Sequence, residues 1–301
     1  MRTLPLAIYE AQKAKIRNDE VSNLFHSMLK KQAAVIFEHR RTFDDALSAK
    51  ADLFNLFFRQ YNTVIVLSQK VAHIGSPDAR YVDATSISIL VRSCHERFLA
   101  FWYLAEGRLF PEATLEEEAK FKWLCYYHGG LVDAERSNRL RARLVDTTAQ
   151  VDVVTNITRR KVDAFKEIKN SQIFAKLEPK AQEAIERYGA WRIENRKSLS
   201  WSQLARLAPI KGAIAEFEYH RMSLYAHTGL AGLEEDKRSG GTQDELLAYL
   251  YVLAACMMFS LDTILPDSDI RFSQRELACV HEFREIARSW ISLTPLDAQD
   301  E

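Results

Sequence analysis

The chain has 301 residues, of which 47% are hydrophobic and 27% are charged, a composition typical of a globular protein. Lys and Arg together number 41, as do Asp and Glu, so the formal net charge is zero. No global electric field therefore draws the chain to nucleic acid or to an anionic membrane, and any contact with RNA or DNA needs a local patch. Ten glycines and seven prolines are few for this length, which favours long helices joined by few turns.

The cysteines and the N-terminal segment indicate the compartment. Cys94, Cys125, Cys256 and Cys279 are scattered and form no C-x-x-C pair. This pattern is typical of reduced thiols in a core, and not of a disulfide framework or a zinc site. The first residues, 1–20, lack the apolar centre of a signal peptide. We therefore expect a cytoplasmic protein, and we predict neither a cofactor nor a bound metal.

The first third of the chain predicts three helices. Apolar residues at helical spacing over 19–39 predict an amphipathic helix. Thr42-Phe-Asp-Asp45 resembles an N-cap, and it precedes a long, strongly apolar helix that we expect to end at Gly75. Pro77 opens the next segment, which predicts a helix from about 79 to 106.

The middle of the chain predicts helices that have fewer apolar residues than those of the first third. A capping-box pattern from Thr114 to Glu117 begins a helix, which Gly129-Gly130 should kink or end. Residues 131–170 have sparse apolar residues at roughly helical spacing, which predicts one long helix or two helices with a break near Asp146-Thr-Thr148. We expect this segment to be peripheral, and one alternative is that it projects. Because a lone projecting helix is poorly stable in water, it would pack on a protein partner or on a second copy of the chain.

Segment 131–170 is also the most basic part of the chain. One interpretation is a solvated face in which acidic residues are interleaved, and the sequence favours it. The other interpretation is contact with nucleic acid such as RNA. The basic residues concerned are Arg136, Arg139, Arg141, Arg143, Arg159, Arg160 and Lys161.

The last third predicts the centre of the fold. Gly189 to Ser200, with Trp191 near its start, predicts an ordered loop, and a helix follows over about 211–233. The apolar run Leu246–Leu261 is shorter than a comfortable bilayer span, so it favours a central buried helix over a membrane helix. A final amphipathic helix is predicted from Ser273 to about Ile291.

These elements predict an all-α multi-helix bundle. We expect a single all-helical domain over residues 1–301, with about eight to ten helices. The helices at 83–106 and 211–233 should pack directly against each other, with Leu246–Leu265 at the centre. A sheet of three or more strands would contradict this prediction.

Two of the predicted helices carry the candidate site residues. On the helix at 211–233, four polar residues fall at positions i, i+4, i+7 and i+11 and form one stripe. They are Glu216, His220, Ser223 and His227. On the helix at 83–106, Arg92 and Glu96 lie at i and i+4 among apolar residues. Because buried polar groups must be paired, we expect Arg92, Glu96, Ser223 and His227 to converge in one network.

Three segments resemble the signatures of one bacterial family, an all-helical domain of unknown function. They are Arg92-Ser-Cys-His-Glu96, Trp201-Ser-Gln-Leu-Ala205 and Tyr219-x-x-x-Ser223-x-x-x-His227. The resemblance spans about residues 80–262 and leaves both ends and the 131–170 helices outside it. It implies an all-helical fold with a shared Arg, Glu, Ser and His cluster, and it implies no activity.

A second resemblance is to the HEPN-type ribonucleases of toxin and antiphage systems, which are helical bundles with an R-x(4–6)-H motif usually completed across a dimer. Arg221 and His227 have this spacing, and Arg275 and His281 repeat it. The resemblance implies a homodimer that cleaves RNA without a metal. His227 would be the general base or acid, and Arg221 or Arg92 would stabilise the phosphorane charge.

Three interpretations of the cluster remain open. Arg92, Glu96 and Ser223 could belong to a ribonuclease site with His227 and Arg221. The same residues could be a structural network in a non-catalytic interaction module, where they fix the register of the helices. A third interpretation is a small-ligand site, for which Glu216, His220 and Tyr219 are the binding candidates, or a metal site at Glu216, His220 and His227.

Overall fold

The fold is all-α, as the sequence predicts. A computed structural model describes residues 19–69, 71–73, 76–81, 84–142, 148–194, 196–210, 212–226, 242–262, 265, 270 and 272–289. Over these residues there are eleven α-helices, of which two are shorter than eight residues, and two antiparallel hairpins of two strands each. The multi-helix bundle is therefore confirmed.

The element bounds are as follows. The helices are α1 (Asp19–His39), α2 (Asp45–Ser68), α3 (Ala84–Ala105), α4 (Leu115–Ala142), α5 (Thr148–Lys169), α6 (Gln172–Ala175), α7 (Pro179–Tyr188), α8 (Trp201–Leu207), α9 (Gly212–Ala226), α10 (Thr242–Asp262) and α11 (Gln274–Ser289). The strands are β1 (Val71–His73), β2 (Ser76–Tyr81), β3 (Ile193–Glu194) and β4 (Lys197–Ser198), and a 3-10 turn covers Arg40–Thr42.

The described residues fall into two compact units. The first unit takes its residues from Met1–Ala105 and Ala205–Glu301, and the second unit from Glu106–Leu204. Each unit has buried apolar side chains, for example Phe57 in the first and Phe121 in the second. That the whole chain forms a single domain stays a prediction.

In the first unit, α10 lies at the centre. It contacts α1, α2, α3 and α11, and its apolar residues from Leu246 to Met258 are almost all buried. Helix α3 also packs directly on α9 and on α2. The predicted pairing of the helices at 83–106 and 211–233 is therefore present, and Leu246–Leu261 is a core helix.

The connection between α2 and α3 differs from the prediction. Helix α2 begins after Asp44, whose side chain accepts a hydrogen bond from the backbone N–H of Leu47 at 2.7 Å. It ends at Ser68, and a hairpin then pairs Val71 with Tyr81, so α3 begins at Ala84 and not near 79. The reason is local, because Pro77 has no backbone N–H to give to a helix and favours a strand edge or a turn.

In the second unit, α4 and α5 pack on each other. They are the two-helix alternative predicted for 131–170, and because they pack together neither is a lone helix. Glu135 of α4 joins them, since it accepts hydrogen bonds from Thr158 at 2.8 Å and from Lys161. Burial alone raises the pKa of Glu135, but hydrogen bonds from Lys161, Arg139 and Thr158 outweigh it and lower the pKa to about 2. Of the basic residues of this segment, Lys161 thus links α5 to α4, and Arg139 pairs with Glu135 within α4.

Helix α4 continues through Gly129-Gly130, which corrects the prediction of a kink or an end there. The glycines are tolerated because Gly129 packs against the chain that follows α7. Helix α7 ends at Gly189, which has a left-handed conformation with φ of 65°. A glycine at this C-cap is expected, since other residues adopt that conformation at a cost.

Candidate functional site

Arg92, Glu96 and Tyr219 form a closed set of hydrogen bonds between α3 and α9, which we call the polar triad. Nε of Arg92 donates to Oε1 of Glu96 at 3.1 Å, and Nη2 of Arg92 donates to the hydroxyl of Tyr219 at 3.0 Å. The hydroxyl of Tyr219 in turn donates to Oε1 of Glu96 at 3.1 Å. The guanidinium also lies over the tyrosine ring, 5.0 Å from its centroid.

The polar triad is half-buried. The side chains of Arg92 and Glu96 are 20% and 29% exposed, so water reaches part of each charge. Burial, and then the charge of Glu96, raise the pKa of Tyr219, so the phenol stays protonated at neutral pH and can donate to the carboxylate. Each charged group is paired within the triad, which is what a structural role requires.

A fully buried histidine that the sequence did not single out lies next to the polar triad. The ring of His95 meets that of Tyr219 edge-on at 5.9 Å and that of Tyr249 at 5.4 Å. The hydroxyl of Tyr249 lies 3.3 Å from Nδ1 of His95. Burial lowers the pKa of His95 to about 3, so the imidazole is neutral at pH 7. The signal that could have indicated His95 is its place between Arg92 and Glu96 in the quoted motif.

Arg221 points into the first unit. Its side chain is 7% exposed, and Nη2 lies 2.6 Å from Oε2 of Glu218 on the same helix. Nη1 lies 3.6 Å from Oε2 of Glu245 on α10. Burial, and then the charge of Glu218, raise the pKa of Tyr249 well above its usual value, which agrees with a compact polar region between α9 and α10. Arg221 is therefore engaged in internal ion pairs.

The other predicted residues of α9 lie outside the polar triad. Glu216 is ion-paired with Arg206, with Nη2 and Oε1 2.8 Å apart, and His220 is exposed. The hydroxyl of Ser223 donates to the backbone carbonyl of Tyr219 at 2.7 Å, a bond within the helix. His227 lies outside the described residues, so its convergence with Arg92 stays a prediction.

The orientation of α9 is thus a correction to the predicted polar stripe. The buried stripe contains Ala215, Tyr219 and Met222, which lie one position before Glu216, His220 and Ser223. Since successive residues of a helix are about 100° apart, this shift turns the predicted stripe away from the buried face. Phe217, which follows Glu216 on the same helix, is 61% exposed.

A second candidate site lies wholly in the second unit. Five aromatic rings and two arginines contact one another in sequence and form what we call the aromatic strip. Its members are Arg160, Tyr127, Trp123, Tyr126, Trp191, Trp201 and Arg192. The five rings are half-buried, so each leaves part of its surface in water. The sequence indicated Trp191 as part of an ordered loop and Trp201 as part of a family-like segment, and it did not connect either with the aromatic residues of α4.

The ring contacts of the strip have defined geometry. Tyr127 stacks on Trp123 with centroids 5.5 Å apart, and Tyr126 meets Trp191 edge-on at 5.2 Å. Trp191 meets Trp201 edge-on at 5.7 Å. Edge-on and stacked arrangements at these distances are the favourable ones for aromatic pairs. The rings therefore fix one another's orientation.

The arginines are attached to the two ends of the strip. Nε of Arg160 donates to the hydroxyl of Tyr127 at 2.8 Å. Arg192 lies 4.4 Å from the ring centroid of Trp201, and its Nε donates to the carbonyl of Leu199 at 3.1 Å. Pairing of β3 with β4 holds Arg192 and Leu199 together, since the N–H of Leu199 donates to the carbonyl of Arg192 at 2.8 Å.

Sites for a small ligand or a metal have weaker support. An open surface pocket of about 590 Å³, part of which is shared with solvent, has an apolar wall that includes Phe110 and Leu177. On its rim Lys176 and Glu112 are paired at 2.7 Å, so their charges neutralise each other. Within the described ranges there is no group of three or more candidate metal ligands. The metal alternative at Glu216, His220 and His227 depends on a residue beyond those ranges.

Comparison with known proteins finds no match, either to a family model, to a characterised protein or to a solved structure. The two family resemblances therefore stay predictions. Of the helices that are described, none is long and apolar enough to cross a membrane.

Proposed function

We propose that the protein is a helical interaction module that acts by binding, and that the polar triad is structural. The observation that carries this proposal is the closure of the triad. Arg92, Glu96 and Tyr219 pair with one another at 3.0 to 3.1 Å. A group that must bind or transfer a proton to a substrate needs a lone pair or a donor directed outward, whereas these groups are directed at each other.

The position of Arg221 supports the same proposal. A catalytic arginine must reach a phosphate, but Arg221 is buried and bound to Glu218 at 2.6 Å. Moving it to a substrate would leave the carboxylate of Glu218, which is only 15% exposed, without this partner. Breaking a buried ion pair costs free energy, and substrate binding would have to compensate for that cost.

The ribonuclease function stays a prediction. It needs His227 as general base or acid, and this residue lies outside the described range of α9. Homodimer formation, RNA as a substrate and a role in antiphage defence belong to the same prediction. In the interaction module, by contrast, the binding surface is separate from the polar triad.

The two functions are separated by measuring stability and RNA cleavage on the same samples. Wild type, Glu96→Ala, Arg92→Ala and His227→Ala are purified and incubated with RNA and EDTA, and each is melted by circular dichroism. We expect intact RNA throughout and a melting temperature about 2–5 °C lower for Glu96→Ala and Arg92→Ala, because each leaves its partner unpaired. Cleavage by wild type that His227→Ala abolishes would overturn the proposal and establish the ribonuclease.

A further inference from the structure

The aromatic strip has a composition that packing alone does not require. A core aromatic side chain is normally buried completely, as Phe121 is at 1% exposure in the same unit. The five rings of the strip are instead half-buried, although they contact one another continuously. Apolar surface left in water forgoes about 25 cal/mol per Å², so a run of half-buried rings in mutual contact is a surface that a ligand could cover.

The two arginines of the strip give this surface positive charge. Arg160 lies 5.5 Å from the ring centroid of Tyr127, and Arg192 lies 5.2 Å from that of Trp191. A guanidinium held against a ring is oriented in advance, and its planar fork of N–H donors matches phosphate oxygens. The strip therefore combines π surfaces with donors suited to phosphate.

We propose that the aromatic strip binds single-stranded nucleic acid, with bases stacked on its rings and backbone phosphates bound by Arg160 and Arg192. Unpaired bases offer a flat face to such rings, and this mode of binding tolerates many sequences. In a duplex the faces of the bases are covered by their neighbours, so the strip discriminates against it. A proline-rich peptide would contact the rings, but it carries no phosphate for Arg160 and Arg192 to bind.

This inference names the ligand of the interaction module, and so it rests on the proposal that the protein acts by binding. The two can fail separately. If RNA is cleaved, the proposed function fails, whereas the binding of single-stranded DNA by the strip can still be measured. If no nucleic acid binds, the strip is wrongly assigned, whereas the structural role of the polar triad is unaffected.

Binding is measured by fluorescence anisotropy with labelled uridine and thymidine oligomers of about 12 nucleotides, which is within the usual site size. The same strand in a duplex and a labelled proline-rich peptide complete the set of ligands. Three of the five tryptophans of the chain lie in the strip, so stacking should also quench intrinsic fluorescence. We expect saturable binding of the single strands at low salt, and weaker binding of the duplex. If the uridine and thymidine oligomers bind with similar affinity, the strip binds both RNA and DNA. If the uridine oligomer binds more tightly, the strip prefers RNA.

Variants test whether the strip itself binds. Trp123→Ala and Trp191→Ala should weaken binding by about 5- to 150-fold each, the range measured for loss of one base–aromatic stack. Trp191→Phe keeps a ring and should recover most of the affinity, which separates stacking from a folding defect. Arg160→Ala should reduce the slope of log affinity against log salt by about 0.7, since it removes one phosphate contact.

Matched controls come from the same unit. Tyr188→Ala removes an aromatic side chain that is 66% exposed outside the strip, and Arg187→Ala removes an arginine paired with Glu183. Both should bind as wild type does. The proposal is overturned if single strands do not saturate, if the strip variants bind as the controls do, or if the peptide binds through the rings and the oligomers do not.

Discussion

Gly129 and Gly189 approach each other so closely that neither has room for a side chain. A Cβ atom on Gly129 would lie 2.5 Å from the carbonyl oxygen of Gly189, and one on Gly189 would lie 2.8 Å from Cα of Gly129. The Cβ on Gly129 would also lie 3.2 Å from Cδ1 of Trp191. This contact places the chain after α7 against α4, and so it brings Trp191 to Tyr126 in the aromatic strip.

Gly129→Ala should therefore destabilise the second unit and disturb the strip. Its Cβ would meet backbone, which cannot move aside as a flexible side chain can, so we expect a loss of about 1–3 kcal/mol in the free energy of unfolding. A change in tryptophan emission should accompany it, because Trp191 must shift. Urea unfolding followed by fluorescence and by circular dichroism measures both effects.

The next residue provides the control. A Cβ on Gly130 would meet nothing within 4 Å, and Gly130 lies inside α4. Alanine is favoured over glycine by about 0.5–1 kcal/mol in a helix interior, so Gly130→Ala should stabilise the protein. If both substitutions change stability in the same direction, the close contact between Gly129 and Gly189 is not what constrains Gly129.

The all-α fold could be predicted because the apolar spacing is strong. In α2, for example, Phe54, Phe57, Tyr61 and Val64 recur on one face, and all four are completely buried. The β1–β2 hairpin could not be predicted in the same way. Val71 continues the helical spacing of α2, and only the hydrogen bonding between the strands outweighs that pattern.

The candidate sites differ in how much of each could be predicted from the sequence. Arg92 and Glu96 are i and i+4 on one helix, so their pairing follows from local geometry. The orientation of α9 did not follow, because the stripes that begin at Ala215 and at Glu216 have the same period. The predicted stripe was chosen for its polar residues, Glu216, His220 and Ser223, whereas the stripe that is buried is the adjacent one, Ala215, Tyr219 and Met222.

The aromatic strip could not be predicted, because it is assembled by distant parts of the chain. Tyr126 and Trp191 meet only because α4 and the segment after α7 pack together. Trp191 and Arg192 were visible as a loop, and the basic character of the α5 region was visible as well. No local pattern connects these residues, so their common surface emerges only from the fold.

Removal of the Tyr219 hydroxyl should test the energetic role of the polar triad. Tyr219→Phe keeps the ring under Arg92 but removes the acceptor and donor that join Arg92 to Glu96. We expect a loss of about 1 kcal/mol in the free energy of unfolding. In a double-mutant cycle with Glu96→Ala, the two losses should not add, since both substitutions remove the same hydrogen bond. Additive losses would show that the triad is not coupled.

Acid should weaken the contact between α1 and α11 through Glu276. This buried carboxylate accepts hydrogen bonds from Ser27 at 3.0 Å and from Lys31 at 2.7 Å. Burial alone raises the pKa of Glu276, but the hydrogen bonds from Lys31 and Ser273 outweigh it and lower the pKa to about 2. A carboxyl with a depressed pKa stabilises the fold above its unfolded pKa of about 4.3, and this stabilisation is lost as pH falls towards the folded value.

Glu276→Gln should therefore be less stable than wild type at pH 7 and closer to it at pH 2.5. The expected difference at pH 7 is on the order of 3 kcal/mol, given by the difference between the two pKa values. Guanidinium titrations at a series of pH values measure it. Glu183→Gln, which changes an exposed carboxylate paired with Arg187, is the matched control and should leave the pH dependence unchanged. A constant difference between wild type and Glu276→Gln over the whole range would contradict the prediction.

His95 should make the first unit sensitive to mild acid as well, in a higher pH range. Burial lowers the pKa of His95 to about 3 in the folded protein, whereas the unfolded value is about 6.5. Between these values the unfolded chain binds a proton that the folded chain does not, so stability falls as pH decreases from about 6.5 towards 3. The slope contributed by one such group is at most about 1.4 kcal/mol per pH unit.

His95→Gln keeps a polar side chain but cannot be protonated in this range. It should lower stability at pH 7, because the new amide does not reproduce the ring contacts with Tyr219 and Tyr249. It should also reduce the slope of unfolding free energy against pH between about 6.5 and 5.5, well above the unfolded pKa of Glu276, where the slope due to Glu276 is small. His220→Gln is the control, because that histidine is exposed and its replacement should leave the slope as in wild type. An unchanged slope for His95→Gln would mean that His95 takes up its proton in the folded protein, and hence that water reaches the space between α3, α9 and α10.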